Sequence, residues 1–509
     1  MPHLIAATDP AIEHVQNLSI LWSIPFVLLL ACAATVPLIS AKFWHKSYAW
    51  ISVGLGAIAA AYYFFIAHDP WSWVHEMQEY VSFIALLASL YIVSGGIYIS
   101  VKRKATPAAN CVLLLIGAVL ANVVGTTGAS MLLIRPYLRM NAGHIKPFHV
   151  VFFIFLVANV GGALTPIGDP PLFLGYLYGV PFWWVVEHAR DAWFLAVGVL
   201  IALFFIIDTI DHRKWARNEP EADHGGVVKV IGAANFLFIA LILFAVFREG
   251  MFDIVDLMRA DGFSMRLLGR FVVSREVLML AAAVGSKWLT RDEPYNRNEF
   301  SYAAIKEVAI LFIGIFSTMA PALQWLQANA DRMPLKTPGQ YYFTCGGLSS
   351  VLDNAPTYLT FLQTELGALD QEQIDAAANE LEQMAAANTI EVRNSLRPPE
   401  VKQAVEAMVK YHPTDVKRGK LRRAQVEVAF LVGVPARNVF LVAISLGAVF
   451  FGACTYIGNG PNFMVKSIAD SHGAKTPSFI TYVWKYSIPI LIPTYALVWW
   501  VFLKESPHL

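Results

Sequence analysis

The chain contains an apolar run that begins like a membrane helix and cannot continue as one. Inside the segment 148–178 it reads Gly162-Ala163-Leu164-Thr165-Pro166-Ile167-Gly168-Asp169-Pro170-Pro171-Leu172-Phe173. Prolines remove backbone donors and glycine loosens the chain, with Asp169 in the middle of the gap. In hydrocarbon every backbone polar group needs an internal partner, so such a break is tolerated only when it packs inside protein or lines a cavity. The same pattern returns as Gly452-Ala453-Cys454-Thr455-Tyr456-Ile457-Gly458-Asn459-Gly460-Pro461-Asn462-Phe463. Gly, Ala, Thr, Ile, Gly, Pro and Phe recur at matching positions. A broken apolar segment present once per half points to a binding site near the bilayer midplane.

Composition agrees with a membrane setting. Of 509 residues, 57% are hydrophobic and 15% charged, against about 25% charged in ordinary globular domains, and mean hydropathy is +0.52. A net charge of +1 offers nothing to nucleic acid. Cys32, Cys111, Cys345 and Cys454 are far apart in apolar stretches, which supports neither a disulfide framework nor a zinc site. The first 19 residues carry Asp9 and Glu13 and no Lys or Arg, so they lack the basic start of a cleavable signal.

A spanning helix needs about 20 mostly apolar residues. The spacing predicts unbroken crossings at 19–41, 48–68, 79–101, 191–210, 230–247, 276–289, 306–326 and 479–503, and broken helices at 148–178 and 438–470. Two apolar stretches interrupted halfway by polar and glycine residues, 108–138 and 340–366, read as re-entrant hairpins. Lys42 and Lys46, Lys102 to Lys104, Arg139 and Lys146, Arg213 to Arg217, and Arg291 and Arg297 fall on one side. The N-terminal tail and the 68–79 loop have no Lys or Arg, so the N-terminus is expected outside. The predicted fold is an all-α polytopic membrane protein with inverted-topology repeats. Each repeat has five crossings plus a re-entrant hairpin, with a broken helix in each. The divisions are a tail at 1–18, a first repeat at 19–229 and a second at 230–509. A polar, Ala/Glu/Gln-rich insertion at 367–423 has no counterpart in the first half, and the crossing count places it outside.

The hairpin tips carry the next layer of polar residues. Asn122-Val123-Val124-Gly125-Thr126-Thr127 aligns with Ser350-Val351-Leu352-Asp353-Asn354-Ala355, followed by Thr357. The first half has a neutral tip and Asp169 in its break. The second has Asp353 at its tip and the neutral Asn459 in its break. Carboxylates inside a membrane are rare and cost roughly 2.5–3.5 kcal/mol on insertion scales, so Asp169 and Asp353 read as functional. Hydroxyls, amides, unwound carbonyls and a carboxylate are hard ligands suited to a small cation. Ser94, Thr360 and Ser445 taken singly read as interhelical hydrogen-bonding groups. Lys485 reads as a snorkelling residue, and Arg135, which follows a hairpin arm, reads as a cap for that arm, the alternative being a position that faces an anion. Neither H-E-x-x-H, G-x-S-x-G, a P-loop nor G-x-G-x-x-G is present, which argues against an enzyme and against an ATP-driven pump.

Ala158-Asn159-Val160-Gly161-Gly162 with Thr165-Pro166-Ile167-Gly168-Asp169-Pro170-Pro171, and Leu352-Asp353-Asn354, resemble the ion-transporter superfamily of arsenite permeases, citrate/dicarboxylate carriers and NhaD-type sodium/proton antiporters. The stretch 122–136 and Asp353-Asn354-Ala355-Pro356-Thr357-Tyr358-Leu359-Thr360 look most like the NhaD-type antiporters and their citrate-transport relatives. The resemblance covers nearly the whole chain outside 367–423. It implies a scaffold domain and a mobile transport domain moving as an elevator within a homodimer of the inner membrane. It also implies an ion and substrate site built from Asn122, Thr126, Thr127, Asn159, Thr165, Asp169, Ser350, Asp353, Asn354, Thr357, Thr455 and Asn459. On this reading Asp169 and Asp353 couple protons, and Asp169, Asp353, Asn354 and Asn459 hold Na⁺. The partners are lipid, Na⁺ and H⁺, and no cofactor is expected. Carboxylate carriers of this superfamily have neutral Ser-Asn-Thr tips, and this chain departs from that triplet at both tips. Two buried carboxylates repel a di- or trianion and suit exchange of Na⁺ for H⁺. Sodium/proton antiport is therefore the first expectation and citrate or dicarboxylate symport the second.

Overall fold

In the computed structural model, residues 19–102, 105–216, 227–247, 274–393, 398–419 and 421–504 are described. The tail 1–18, Arg103, Lys104, Arg217, most of the 248–275 loop and Lys420 lie outside them. Among the described residues seven helices are long and apolar enough to cross a membrane by length and composition. The protein is a helical, polytopic membrane protein. Large apolar side chains stand fully open on its outer helices, among them Ile39, Trp50, Phe65, Leu237 and Trp288. Such a surface suits lipid and not water.

Several helices run longer than the apolar spacing predicts. The second begins at Ala41, capped by Ser40, so Lys42 and Lys46 lie on it and not in a loop. The third is Pro70–Gly95, capped by Asp69, so residues 70–78, expected as a loop, form its first turns. Proline at the first helical position and an Asp cap explain that start better than hydropathy does. The crossing expected at 230–247 begins as a strand. Tyr98–Lys102 (β1) and Val227–Ile231 (β2) pair antiparallel, Tyr98 opposite Ile231 and Lys102 opposite Val227. Their Val and Ile content favours extended chain. β2 straddles the expected 229/230 boundary between halves. The last crossing contains a π-helical stretch, Val483–Leu491, around Pro489, where proline removes a ladder hydrogen bond.

Helices Pro70–Gly95 and Ala303–Ala328 run antiparallel. Tyr91 Oη donates to Ser301 O (2.9 Å), Tyr80 Oη to Ala309 O (3.0 Å) and Trp73 Nε1 to Ser317 Oγ (2.7 Å). Ser317 in turn donates to Gly56 O at 2.9 Å, joining Ala41–Ala61 to this pair through small residues, as membrane helices commonly pack.

The two interrupted stretches do fold back on themselves. Pro107–Met140 is two helical arms joined at Gly125, whose φ 77°, ψ 157° reverses the chain. Its ends meet: Ala105 N donates to Met140 O (3.1 Å), and Asn110 and Asn141 exchange amide hydrogen bonds. A side chain at Gly125 would hold a left-handed φ and press on Ile167 O at 3.3 Å. Gly125→Ala is therefore expected to cost about 1–2 kcal/mol and to lower the detergent-solubilised melting temperature. The second hairpin pairs Pro338–Ser349 with Asn354–Gly367, and Tyr341 meets Phe361 edge-on at 6.2 Å. The first hairpin opens beside β1, where Arg139 donates to Ile99 O. The second opens beside Gln327 at the far end of Ala303–Ala328. The hairpins thus enter from opposite ends of the helix pair.

The insertion forms helices Gln371–Ala386, Pro399–Tyr411 and Pro413–Arg418. It is tied down by Arg423 to Asp375 (3.0 Å) and Lys410 to Glu187 (3.6 Å). Arg422, at its end, reaches Leu177 O at 3.3 Å. It therefore covers the end of the bundle onto which the second hairpin opens.

Candidate functional site

Each break is held by its hairpin through the same contacts. Thr165 Oγ1 donates to Asn122 O (2.6 Å), and Thr455 Oγ1 donates to Ser350 O (2.5 Å). Asn122 Nδ2 donates to Ala118 O and Gly161 O; Ser350 Oγ donates to Gly346 O and Phe451 O. Gly168 N donates to Thr165 Oγ1 and Gly458 N to Thr455 Oγ1, both at 3.1 Å. These pairs match residue by residue in the alignment of tips and breaks. The hydroxyls and amides of Asn122, Ser350, Thr165 and Thr455 are thus spent on holding unwound backbone, which has lost its helical partners.

Glycine makes the breaks possible. A Cβ on Gly168 would lie 2.1 Å from Gly162 O, and one on Gly458 would lie 2.7 Å from Gly452 O. After each break the chain is extended, at Asp169 (φ −143°, ψ 146°) and Asn459 (φ −154°, ψ 140°), before prolines open the next helices, Pro170–Leu177 and Gly460–Ser471.

Asp169 is the centre of the arrangement, at 1% exposure. One carboxylate oxygen accepts from Thr126 Oγ1 (2.7 Å) and Asn459 Nδ2 (3.1 Å); the other accepts from Asn354 Nδ2 (2.5 Å). Thr126 and Asn354 are aligned tip residues, and Asn459 is the counterpart of Asp169 itself. Both tips and both breaks therefore meet at one carboxylate. The fully buried Asn354 keeps its amide oxygen without a hydrogen-bond partner among the described residues. An amide oxygen without a partner next to a carboxylate is a pair of hard oxygen atoms of the kind that suits a small cation.

Asp353 differs from the expectation of two equivalent carboxylates. It is half-buried, accepts from Ala355 N at 3.1 Å and caps helix Asn354–Gly367. It stands close enough for its charge to act on Asp169. Thr357 Oγ1 donates to Asp353 O at the start of that helix, and Thr127 is half-buried with no side-chain hydrogen bond among the described residues. Asn159 lies one layer behind Asp169. It donates to Ile154 O and to Asn462 Oδ1 (2.6 Å) and accepts from Asn459 Nδ2 (3.2 Å).

Sequence reasoning missed Asn462, fully buried, which donates to Gly452 O and Thr455 O at 2.8 Å each. Its signal was a polar residue just after the second break, between the repeated Pro and Phe, where the first half has Leu172. Trp193 was also missed; its Nε1 donates to Gly161 O at 2.9 Å.

Four helix N-termini converge here: the returning arms of both hairpins, and the helices after both breaks. Each carries about half a positive charge, so Asp169 and Asp353 together offset the four. Protonating or metallating Asp169 leaves this pocket short of negative charge. A buried carboxylate among broken membrane helices is an arrangement that suits a secondary transporter. The family described as "putative citrate transport" matches residues 15–503, and the chain belongs to it. No curated protein matches the chain.

Proposed function

We propose that the protein exchanges Na⁺ for H⁺ across the inner membrane by alternating access, with Asp169 as the shared ligand. The observation that carries this reading is the buried Asp169 carboxylate beside the orphaned Asn354 Oδ1. Sodium would take Asp169 and Asn354 Oδ1 as ligands, with Asn459 and Thr126 orienting the carboxylate and Asp353 completing the charge at the rim. A proton on Asp169 would exclude the metal. The matched contacts and opposite openings of the hairpins support two inverted repeats, each of five crossings and a hairpin. The basic loops support an N-terminus outside. The superfamily resemblance adds a homodimer with a moving transport domain.

In everted vesicles with a pH-sensitive dye, added Na⁺ is expected to dissipate an imposed proton gradient. Because both ions compete for one carboxylate, lowering the pH should raise the apparent KM for Na⁺. The rise should approach tenfold per pH unit once the carboxylate is mostly protonated, with the maximal rate little changed. An apparent KM that stays flat across the range would sink shared-ligand exchange.

Citrate or dicarboxylate transport coupled to H⁺ or Na⁺ is the second reading, and the family description favours it. Four positive helix ends around an Asp169 neutralised by H⁺ or Na⁺ would accept an anion. Uptake of labelled citrate by proteoliposomes, without sodium-linked proton movement, would select it.

A further inference from the structure

Arg135 is the one buried lysine or arginine among the described residues, at 3% exposure. It lies on the returning arm of the first hairpin, about 13 Å beyond Thr126 at the helical rise of ~1.5 Å per residue. It caps nothing. Nε and Nη1 are buried without hydrogen-bond partners among the described residues, and Nη2 stands 3.5 Å from Glu299 Oε2. Several other buried charges are closely paired. Glu365 pairs with Arg437 at 2.8 Å, Glu276 with Arg275 at 2.8 Å and with Ser82, and Asp208 with His149 and Asn110. A guanidinium has five donors in a planar fork made for a carboxylate, and leaving them desolvated and empty is unfavourable.

Glu299 roofs this arginine. It is mostly exposed and sits at φ 48°, a left-handed backbone that a glutamate rarely adopts. Its neighbours hold the loop: Asn298 donates to Gly95 O and Ile97 O, and Phe300 lies against Gly95. The loop thus presents a carboxylate to Arg135 as a long ion pair at 3.5 Å, through Nη2 alone. On helix Pro70–Gly95, Ser94 lies against Gly128, about two turns before Arg135 on the returning arm, and its buried hydroxyl has no hydrogen-bond partner among the described residues.

We propose that Arg135 is a carboxylate-binding position, separate from the Asp169 centre, that takes a small organic acid anion when the Glu299 side chain swings aside. Glu299 is the internal stand-in for that ligand, which is why the class is a carboxylate. With Glu299 moved off Nη2, the anion would accept from Nε and Nη2, the side-on fork of the guanidinium, as a bidentate pair.

The test uses the full-length protein in detergent, with citrate, acetate and inorganic phosphate as probes and thermal shift plus calorimetry as readouts. Citrate and acetate should stabilise the wild type. Glu299→Gln removes the competing carboxylate and should tighten citrate binding by roughly tenfold, the size of one charge-assisted contact. Arg135→Gln should lose the response and Arg135→Lys retain a weakened one, while Asp169→Asn should keep it. If Arg135→Gln does not fold, the exposed Glu299→Gln still decides. Absence of a citrate response in both wild type and Glu299→Gln overturns the proposal, leaving an internal ion pair only. A response to phosphatidylglycerol vesicles or phosphate with none to citrate overturns it in favour of a lipid headgroup.

Discussion

Asp169→Asn is expected to bring sodium-driven proton movement to background while the protein still inserts and folds. The substitution keeps the shape of the side chain but removes the carboxylate on which the proposed exchange of a proton for a metal ion rests. Three donors from three separate segments, Thr126, Asn354 and Asn459, then share one amide oxygen. Some loss of stability is expected as well, since a buried donor without its acceptor costs about 1–3 kcal/mol. Removing one supporting donor, as in Thr126→Ala or Asn459→Ala, should weaken sodium by roughly 10–100-fold and leave exchange measurable. Asp353→Asn should be milder than Asp169→Asn, because asparagine caps a helix nearly as well as aspartate and the carboxylate lies outside the central hydrogen-bonded set. Equal losses in the two asparagine variants would show instead that exchange needs both charges. The measurement is dye-reported flux in everted vesicles, normalised to protein in the membrane.

Gly168→Ala should be the most damaging glycine-to-alanine change within the two breaks. Its Cβ would sit 2.1 Å from Gly162 O, a backbone atom that cannot swing away as a side-chain end could. The cost should reach or exceed the upper end of the roughly 1–3 kcal/mol typical of overpacking. Gly458→Ala, at 2.7 Å from Gly452 O and Ser349 O, should follow at a lower cost, and Gly460→Ala, with open space around it, should be neutral. Fluorescence-detected size exclusion after a heating series reads that order directly. A Gly460→Ala protein as unstable as Gly168→Ala would mean that backbone freedom, not the clash, is what these glycines supply.

Much of this arrangement is legible in the chain because a break in a membrane helix leaves a chemical mark. Prolines, glycines and one Asp in an apolar run mark both breaks, and laying 122–126 over 350–354 puts Asn122 opposite Ser350, which is how the backbone is held. What escaped the reading has physical reasons. The start of Pro70–Gly95 carries His75, Glu76 and Glu79, so hydropathy reads it as loop, although the Asp69 cap and Pro70 mark a helix. The β1–β2 pair joins segments far apart in sequence, and local pattern holds no information about such pairing. The unequal roles of Asp169 and Asp353 depend on where each side chain points. Asp353 spends its oxygen on its own helix end, a choice that residue type alone does not reveal.

The amide chain Asn462–Asn159–Asn459 has a mechanical consequence. Asn159 belongs to the first half, Asn459 and Asn462 to the second, and their hydrogen bonds run behind Asp169 with all three residues buried. Pulling the breaks apart would strand several amides in an apolar interior at once. The pocket therefore has no hinge through its own middle. Whatever opens it to one side or the other must act at its walls or carry the knot along whole, so the cargo would cross without its floor ever coming apart.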